Sequence, residues 1–572
     1  MREFKYRGQE TRCFLPFDFK VTTFEALEPF LQELEERNFG NKDELERWLW
    51  EWSEVQAVLS EEAGWRYIKM TCDTTDKSLQ ERYSDFVQNI QPKVSEYFDR
   101  LNRKFIDCPV TKKLRTDVYG TMIRDVESAI ALFRTENIAL KSELAELSRK
   151  FGSITGGLMV DWKGEEKTLQ AMSLVLKSED REERKEAFEK VAEQRAGVRT
   201  ELHELLDELI AKRNLVAKNA GFDNFRDYQF KSLGRFDYGV KECEDFHAAI
   251  ANSFSPLFGE DLKHRKAALG FDLKPYDLSV PLPGQNNLIP FTDEEDLIQK
   301  NKAVFHKIHP YFGAAMDSME EIGHLDLSSR KGKSPGGYNY PLYVSNAPFI
   351  FMNAVGSHSD MITMTHEGGH AVHSFLTADL KYTSQKGLSS EVAELASMST
   401  ELISMDFWDT YYDGADLNQA KADQMERVVS IFPWVACVDA FQHWLYTCPD
   451  HSHAERNAKW VELYKQYHPD VVNWEGYEDE LAHMWQKQLH IFEVPFYYIE
   501  YAIAQLGAVA VWENVQKKEE KGLEQFMSAL AVGAMREIPY VYERAGIGFD
   551  FSEKYVQKMA DFVQLQKKQF QK

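Results

Sequence analysis

Cysteine is scarce in this chain, and its few copies are widely spaced. Six cysteines occur among 572 residues, at positions 13, 72, 108, 243, 437 and 448. They form neither the close pairs of a thiolate metal site nor the dense clusters of a disulfide-stapled scaffold. The pattern predicts reduced, mostly buried thiols in a cytoplasmic protein.

Long hydrophobic runs are also missing. No stretch of about 20 apolar residues, the length that spans a bilayer, occurs anywhere in the sequence. The first residues, MREFKYR, lack the apolar core of a secretory signal. We therefore expect neither membrane insertion nor secretion.

Positive charge is in deficit. The chain carries 68 Lys and Arg residues against 92 Asp and Glu residues, a formal net charge of −24. Such a balance argues against binding to nucleic acid or to an anionic membrane surface, because both are polyanions. We expect a soluble monomer or a weak homo-oligomer whose partners are small.

Helical patterns dominate what is present. Apolar residues make up 43% of the chain and charged residues 28%, an ordinary globular composition. Amphipathic periodicity predicts helices over 24–37, 42–63, 79–105 and 127–150, and one long or two abutting helices over 180–219. Glycines at 152, 156, 157 and 164 surround a short strand-like run at 158–162 and predict a hinge there. We therefore predict an N-terminal helical domain over 1–160 and a second domain over 161–572, with lobes that could interleave.

The most informative stretch is His366-Glu367-Gly368-Gly369-His370. On a helix, two histidines four positions apart lie one turn apart on the same face, so both imidazoles can reach one zinc ion. The glutamate beside them can then accept a proton from an activated water. The two glycines cost roughly 1 kcal/mol each in a helix interior, which suggests that another backbone or a substrate passes close to this turn.

A third metal ligand has to come from downstream. His373 is too far along the helix axis to share an ion with both motif histidines, so it is predicted to lie around the ligands or in the core. Glu391 follows two serines and is suited to a first helical turn. Glu394, one turn further in, is the preferred ligand. Glu401 shares its face and could hydrogen-bond a ligand histidine.

The run from Thr365 to His373, followed by 394–401, resembles the thimet oligopeptidase family of zinc metallopeptidases, and most closely its oligoendopeptidase F branch. The resemblance covers roughly residues 213–548. In that family a glutamate about 24 or 25 residues after the second histidine is the third ligand, which selects Glu394 here. The resemblance implies one zinc ion per chain and a mainly α fold. In that fold a two-lobed helical shell surrounds a deep substrate channel, and a small sheet lies beside the metal helix of a zincin-like core. It also implies cleavage of short unstructured peptides.

Two further segments fit the resemblance. The run 348–353 predicts a strand whose free edge could pair with an extended substrate, the alternative being a strand buried on both sides. His490, predicted on a loop, with Tyr498 and Tyr501 on a following helix, resembles the family's groups that bind the substrate carbonyl oxygen. The spacing is offset by one residue, so Tyr497 remains an alternative to Tyr498.

These patterns predict an endopeptidase that uses zinc and a metal-activated water. An exopeptidase is the first alternative. It would need a charged anchor for a peptide terminus, for which Arg330 and Lys333 are candidates. A non-catalytic peptide-binding protein with a structural metal is the second alternative. Glu367 argues against it, because structural metal sites are usually closed by four protein ligands.

Overall fold

The computed structural model describes residues 3–9, 12–387 and 389–570, and α-helices dominate it. The helices before residue 270 are α1 (Phe24–Glu36), α2 (Lys42–Cys72), α3 (Lys77–Asp85), α4 (Gln91–Asp107), α5 (Thr116–Leu132), α6 (Glu136–Gly156), α7 (Leu169–Val175), α8 (Arg181–Gly197), α9 (Arg199–Asn219), α10 (Phe225–Ser232) and α11 (Val240–Leu269). Those of the middle are α12 (Glu294–Ile308), α13 (Pro310–Glu321), α14 (His358–Thr377), α15 (Thr383–Lys386), α16 (Ser390–Ser404) and α17 (Gly414–Thr447). Those that follow are α18 (His453–Tyr467), α19 (Glu478–Ala482), α20 (Leu489–Glu493), α21 (Ile499–Lys518), α22 (Glu520–Leu530), α23 (Ile538–Arg544) and α24 (Glu553–Phe570). The strands are β1 (Met159–Trp162), β2 (Glu165–Thr168), β3 (Leu325–Ser328), β4 (Tyr338–Tyr340) and β5 (Phe349–Ala354). The predicted mainly α fold is confirmed.

The chain forms two compact units, each assembled from three segments. The first unit comprises Met1–Phe133, Leu288–Ala420 and Ile503–Phe549, and the second comprises Arg134–Asn287, Lys421–Ala502 and Asp550–Lys572. Residue 160, where the sequence predicts a boundary, lies within the second unit, in the β1–β2 hairpin. A functional division at that residue stays a prediction.

Helix boundaries follow the sequence pattern closely in some places and not in others. The prediction of a single helix over 127–150 is wrong, because the backbone is extended at Phe133, and this break separates α5 from α6. This is also where the chain passes from the first unit to the second. The two abutting helices predicted over 180–219 are confirmed, with a break at the non-helical Val198.

The N-terminal helices of the first unit enclose their own hydrophobic core. Trp48 and Trp52, one turn apart on α2, pack with their ring centroids 5.1 Å apart. Trp48 is fully buried, and its indole N–H donates to the carbonyl of Leu34 at 2.9 Å. Burial of an aromatic ring with its one polar group satisfied is what stabilises such a helical layer.

A three-stranded sheet lies in the first unit beside α14. The strand order is β3-β5-β4, with β5 parallel to β3 and antiparallel to β4. The expectation of a free edge on the 348–353 strand is wrong, because β5 is the central strand and its first four residues are buried. The run is hydrophobic because both faces of the strand are covered by other parts of the protein. The edge strands on its two sides are β3 and β4.

Among the described residues, one helix, α17, is long and apolar enough to cross a membrane. However, 72% of the apolar window in that helix is buried inside the protein. Core helices of globular proteins pass the same test, because they too are apolar all round.

Candidate metal centre and active site

Helix α14 carries the two motif histidines. Its N-cap is Ser357, whose hydroxyl accepts from the Asp360 N–H while the Asp360 carboxylate accepts from the Ser357 N–H. This capping box satisfies two of the amides that a helix start leaves unpaired. The helix then runs without interruption to Thr377, so His366 and His370 lie one turn apart.

The glycine pair allows α14 to lie against α16 at close range. A Cβ on Gly369 would come 2.7 Å from the Ser397 Cα, and a Cβ on Gly368 would come 2.6 Å from the Phe305 ring. Real Cβ atoms do not approach a backbone that closely, so only glycine fits at Gly369. The prediction that another backbone passes this turn is confirmed, and that backbone is α16.

Close packing of these helices brings three donor groups together. One ligand atom each from His366, His370 and Glu394 lies within 4.8 Å of the other two. The Glu394 Oε2 atom is 3.3 Å from the Nε2 atom of His366 and 3.9 Å from that of His370. Ligands about 2.1 Å from a tetrahedral ion lie roughly 3.4 Å from each other. The arrangement therefore suits one small cation.

Glu401 fixes the orientation of the first histidine. Its Oε1 atom accepts a hydrogen bond from the Nδ1 atom of His366 at 2.7 Å. With the proton on Nδ1, the Nε2 lone pair is left to face the ion. The contact that the sequence suggested for Glu401 is therefore present.

Glu367 lies beside these groups and is only 6% exposed. The backbone carbonyl of this residue accepts from the Asn339 side chain of β4 at 3.2 Å, which ties the helix to the sheet edge. Burial raises the pKa of the Glu367 carboxyl to about 7, and the nearby charges of Glu394 and Glu401 add to the rise against the opposing effect of His366. Asn339 was missed at the sequence level, because a single asparagine in a short strand gives no signal.

The electrostatics of the cluster favour a cation. Three carboxylates, Glu367, Glu394 and Glu401, surround two imidazoles in a largely buried space. Burial alone would lower the pKa of His366, but the Glu394 and Glu401 carboxylates raise it well above its ordinary value. Two imidazole nitrogens and one carboxylate oxygen are the donor set of a catalytic zinc site that leaves one position open. The donor set thus fits a divalent ion such as zinc.

Two other candidates from the sequence lie outside this convergence. Glu391 is buried in the first turn of α16 and is not one of the three converging groups. His373 is fully buried on α14, and burial lowers the pKa of its imidazole to about 3. A neutral histidine in the core agrees with the packing role that the sequence left open for it.

The cations considered as anchors for a peptide terminus are already engaged. The ammonium of Lys333 donates to Asp326 Oδ1 at 2.8 Å and to the carbonyls of Asp326 and Ser328. The guanidinium of Arg330 forks onto the same Asp326 carboxylate. The Lys333 side chain is fully buried, so these contacts use all three of its donors. Both cations therefore belong to a structural network of contacts around Asp326.

His490 and the neighbouring tyrosines form an aromatic cluster in the second unit. The His490 ring centroid lies 4.6 Å from that of Tyr498, 5.7 Å from that of Tyr501 and 6.2 Å from that of Tyr497. The expectation that His490 lies on a loop is wrong, because the residue lies on the short helix α20. The expectation that Tyr498 lies on the following helix is also wrong, because α21 begins at Ile499. Burial raises the pKa of Tyr498 to about 12, so its phenol stays a hydrogen-bond donor.

Gln488 determines which nitrogen of His490 carries the proton. The indole N–H of Trp434, which can only donate, reaches the Gln488 Oε1 atom at 2.9 Å. The amide NH2 of Gln488 is thereby directed to the His490 Nδ1 atom, at 2.6 Å. Because Nδ1 must accept, the proton of the neutral ring lies on Nε2. His490 can then offer an N–H donor, a feature that the sequence did not reveal.

The tyrosines are held in place by a strained backbone position. Phe496 has a φ of +67°, which non-glycine residues rarely adopt. Its N–H donates to the Gln442 side chain at 2.7 Å, and its carbonyl accepts from Arg235. Arg235 is also paired with Glu500 at 2.9 Å, both side chains being buried. These contacts offset the strain and fix the turn that presents Tyr497 and Tyr498.

Family models match most of the chain. The model for peptidase family M3 matches residues 174–561, and that for the peptidase M3 N-terminal domain matches residues 14–133. Among curated relatives, an oligoendopeptidase F homolog of Borreliella burgdorferi is 23% identical over 540 residues, which cover 90% of this chain and 89% of that protein. The oligopeptidase PepF of Bacillus subtilis is 23% identical over 434 residues, or 71% of this chain and 62% of that protein.

Solved structures share the fold. PZ peptidase A, solved with an inhibitor, superposes with a TM-score of 0.90 at 23% identity, covering 96% of this chain and 98% of that one. Oligoendopeptidase F from Enterococcus faecium superposes with a TM-score of 0.64 at 16% identity, covering 96% and 97%. The resemblance drawn from residues 365–401 is confirmed at the level of the family. The chain belongs to peptidase family M3 and is a peptidase.

Proposed function

We propose that this peptidase is a zinc-dependent endopeptidase that cleaves short, unstructured peptides. The observation that carries the proposal is the convergence of His366, His370 and Glu394, with Glu367 buried beside them. A divalent cation held by these three residues supplies a Lewis acid that lets a water lose its proton near neutral pH.

In the proposed reaction the carboxylate of Glu367 accepts the proton of the attacking water and later passes it to the leaving amide nitrogen. A group that performs both transfers works best with a pKa near the operating pH. Burial moves the pKa of Glu367 in that direction, and a bound cation would move it back. Glu401 keeps His366 in the tautomer that can bind the ion.

The substrate carbonyl oxygen needs hydrogen-bond donors as negative charge develops on it. We assign this role to the His490 Nε2–H group and the Tyr498 hydroxyl, with Tyr501 beside them and Tyr497 as the alternative phenol. The assignment rests on the family resemblance and on two observations. Gln488 imposes the His490 tautomer with a hydrogen on Nε2, and the raised pKa of Tyr498 keeps its phenol protonated.

The recessed position of the reacting groups supports a preference for extended peptides. The side chains of His366 and His370 are 20% and 18% exposed, and that of Glu394 is 8% exposed. A folded domain cannot present its backbone to such groups without unfolding locally. The names of the relatives, oligoendopeptidase and oligopeptidase, agree with this preference.

The exopeptidase alternative is weakened at its proposed anchors. Lys333 is buried with its three donors bound to Asp326 and to backbone carbonyls, so it is not available for a peptide terminus. Arg330 is paired with the same carboxylate. The non-catalytic alternative is disfavoured by a donor set of three groups, because structural sites usually have four. A cytoplasmic location, a monomeric or weakly associating state and the absence of nucleic-acid and membrane partners stay predictions from composition.

Cleavage of a peptide blocked at both ends tests the proposal. We expect internal cleavage of an N-acetylated, C-amidated peptide of about ten residues, because endopeptidases need no free terminus. The products can be read by mass spectrometry. Activity confined to the unblocked peptide of the same sequence would instead identify an exopeptidase.

A further inference from the structure

A second group of metal-binding side chains lies in the second unit, separate in the chain from the motif on α14. Helix α11 contributes Cys243 and His247, and helix α17 contributes Asp439 and His443. Each pair has i, i+4 spacing, so each helix presents its two side chains on one face. Two helices that each offer a pair of ligands are a common way to build a metal site in a helical core.

The donor atoms of three of these side chains converge. One ligand atom each from Cys243, Asp439 and His443 lies within 4.8 Å of the other two. The Asp439 Oδ2 atom is 3.2 Å from the His443 Nε2 atom. This separation resembles the 3.3 Å between Glu394 and His366, and it is close to the roughly 3.4 Å expected between ligands of one tetrahedral ion. The same Oδ2 atom is hydrogen-bonded to the His247 Nε2 atom at 2.9 Å.

Burial makes the group costly without a cation. Cys243 is 2% exposed, His247 5%, Asp439 0% and His443 7%. Within the part of the chain that the structure describes, the Asp439 Oδ1 atom and the His443 Nδ1 atom have no hydrogen-bond partner. A buried polar atom left unsatisfied costs about 1–3 kcal/mol, and more for a charged group. Bonds to a metal ion would satisfy the carboxylate and one nitrogen of the His443 ring together.

The charge of Asp439 points the same way. Its side chain is fully buried between two imidazoles, those of His247 and His443. An ionised Asp439 would therefore be an anion in a core position. A deprotonated Cys243 would add a second anion, and a divalent cation would neutralise both.

We propose that Cys243, Asp439 and His443 bind a divalent cation of the zinc class. Their thiolate, carboxylate and imidazole are donors that zinc takes, and His247, which is hydrogen-bonded to Asp439, would orient the carboxylate as an outer partner of a metal ligand does. The ion would join α11 to α17. The His443 ring also packs on Phe496 at 5.5 Å, so the site would brace the strained turn before the tyrosines.

Cobalt substitution tests the proposal, because the two sites differ in sulfur. The group of His366, His370 and Glu394 contains no cysteine, whereas the group proposed here contains Cys243. The whole chain is produced in cobalt-supplemented medium, so that a buried site can fill during folding. We expect two cobalt ions per chain by elemental analysis. We also expect the near-ultraviolet charge-transfer band of a thiolate bound to cobalt.

Matched variants assign the band. Cys243→Ala should abolish it and lower the cobalt content by one, while Cys437→Ala, which removes another buried cysteine from α17, should leave both unchanged. The double variant His366→Ala/His370→Ala should keep the band and one ion, so the result does not depend on the proposed catalytic site. His443→Gln offers a second test if Cys243→Ala fails to fold. One ion per chain without a thiolate band in the wild type, or a band that survives Cys243→Ala, would overturn the proposal.

Discussion

At the scale of single residues, the proposed chemistry depends most on Glu367. Its role could be predicted from sequence, because it depends only on local geometry. Glu367 is next to His366, and the i, i+4 spacing puts His366 and His370 on one face of the helix. Glu401 could also be placed, because it lies seven positions after Glu394 on the same helical face. By contrast, the ion pairs of Arg330 and Lys333 with Asp326 could not be predicted, since they depend on how the sheet and its loops fold.

Replacement of Glu367 by glutamine separates catalysis from metal binding. The amide cannot accept the proton of the attacking water, so we expect kcat to fall by about 10²–10⁴-fold, while the zinc content stays at the wild-type level. Metal analysis and steady-state kinetics on the same preparation check this. Near-normal turnover with full zinc occupancy would show that another group is the base.

The ligand assignment predicts an order of metal affinities. Glu394→Ala should lose most of its zinc on dialysis, because it removes a direct ligand. Glu401→Ala should weaken binding by about 10–100-fold, as outer hydrogen-bond partners of metal ligands do. Glu391→Ala is the matched control, one turn away on the same helix. An empty site in Glu391→Ala alone would place the third ligand one turn earlier.

A nearly isosteric substitution tests the tautomer of His490. Gln488→Glu replaces the amide donor with an acceptor, so the proton of a neutral His490 ring should move to Nδ1 and leave Nε2 without a hydrogen to donate. The comparison is made at alkaline pH, because a carboxylate favours the imidazolium, which keeps both hydrogens. We expect kcat to fall by about 10²–10³-fold, as when one donor to an oxyanion is lost. The ¹⁵N chemical shifts of His490 should report the change of tautomer. Unchanged shifts and activity would remove His490 from the proposed role.

At the scale of elements, the contact between α14 and α16 positions the metal centre. The sequence predicted that something lies close to the glycine turn, because two glycines in a helix are otherwise unfavourable. It could not identify α16 as that neighbour. In the same way, the hydrophobic run of β5 predicted a strand, but only the pairing with β3 and β4 showed that the strand is central.

Gly369→Ala tests this contact. The new methyl group would meet the Ser397 Cα at 2.7 Å, so the helices must separate, at a cost of about 1–3 kcal/mol in the free energy of unfolding. Gly120→Ala, in the interior of α5, is the control, because its Cβ would meet only Thr116 Cβ at 3.9 Å. There we expect a gain of about 0.4–1 kcal/mol. Equal denaturation midpoints for the two variants would contradict the proposed packing.

At the scale of the whole molecule, composition and periodicity predicted a mainly α protein, and the motif predicted its family. The division into two units, each built from three chain segments, could not be predicted in detail, since it arises from contacts between residues far apart in the chain. The group of Cys243 and Asp439 was missed for the same reason. Cysteine spacing along the sequence carries no sign of partners on another helix.

The most direct test of the account is the digestion of a peptide pool graded in length, read by mass spectrometry. The pool would range from about five residues to an unfolded protein of over about 100 residues. We expect the native enzyme to cut peptides of a few to some tens of residues at internal bonds and to leave the long chain largely intact. A chelator should abolish the cuts, and added zinc should restore them. Internal cleavage that persists in full after the metal has been removed would contradict the account.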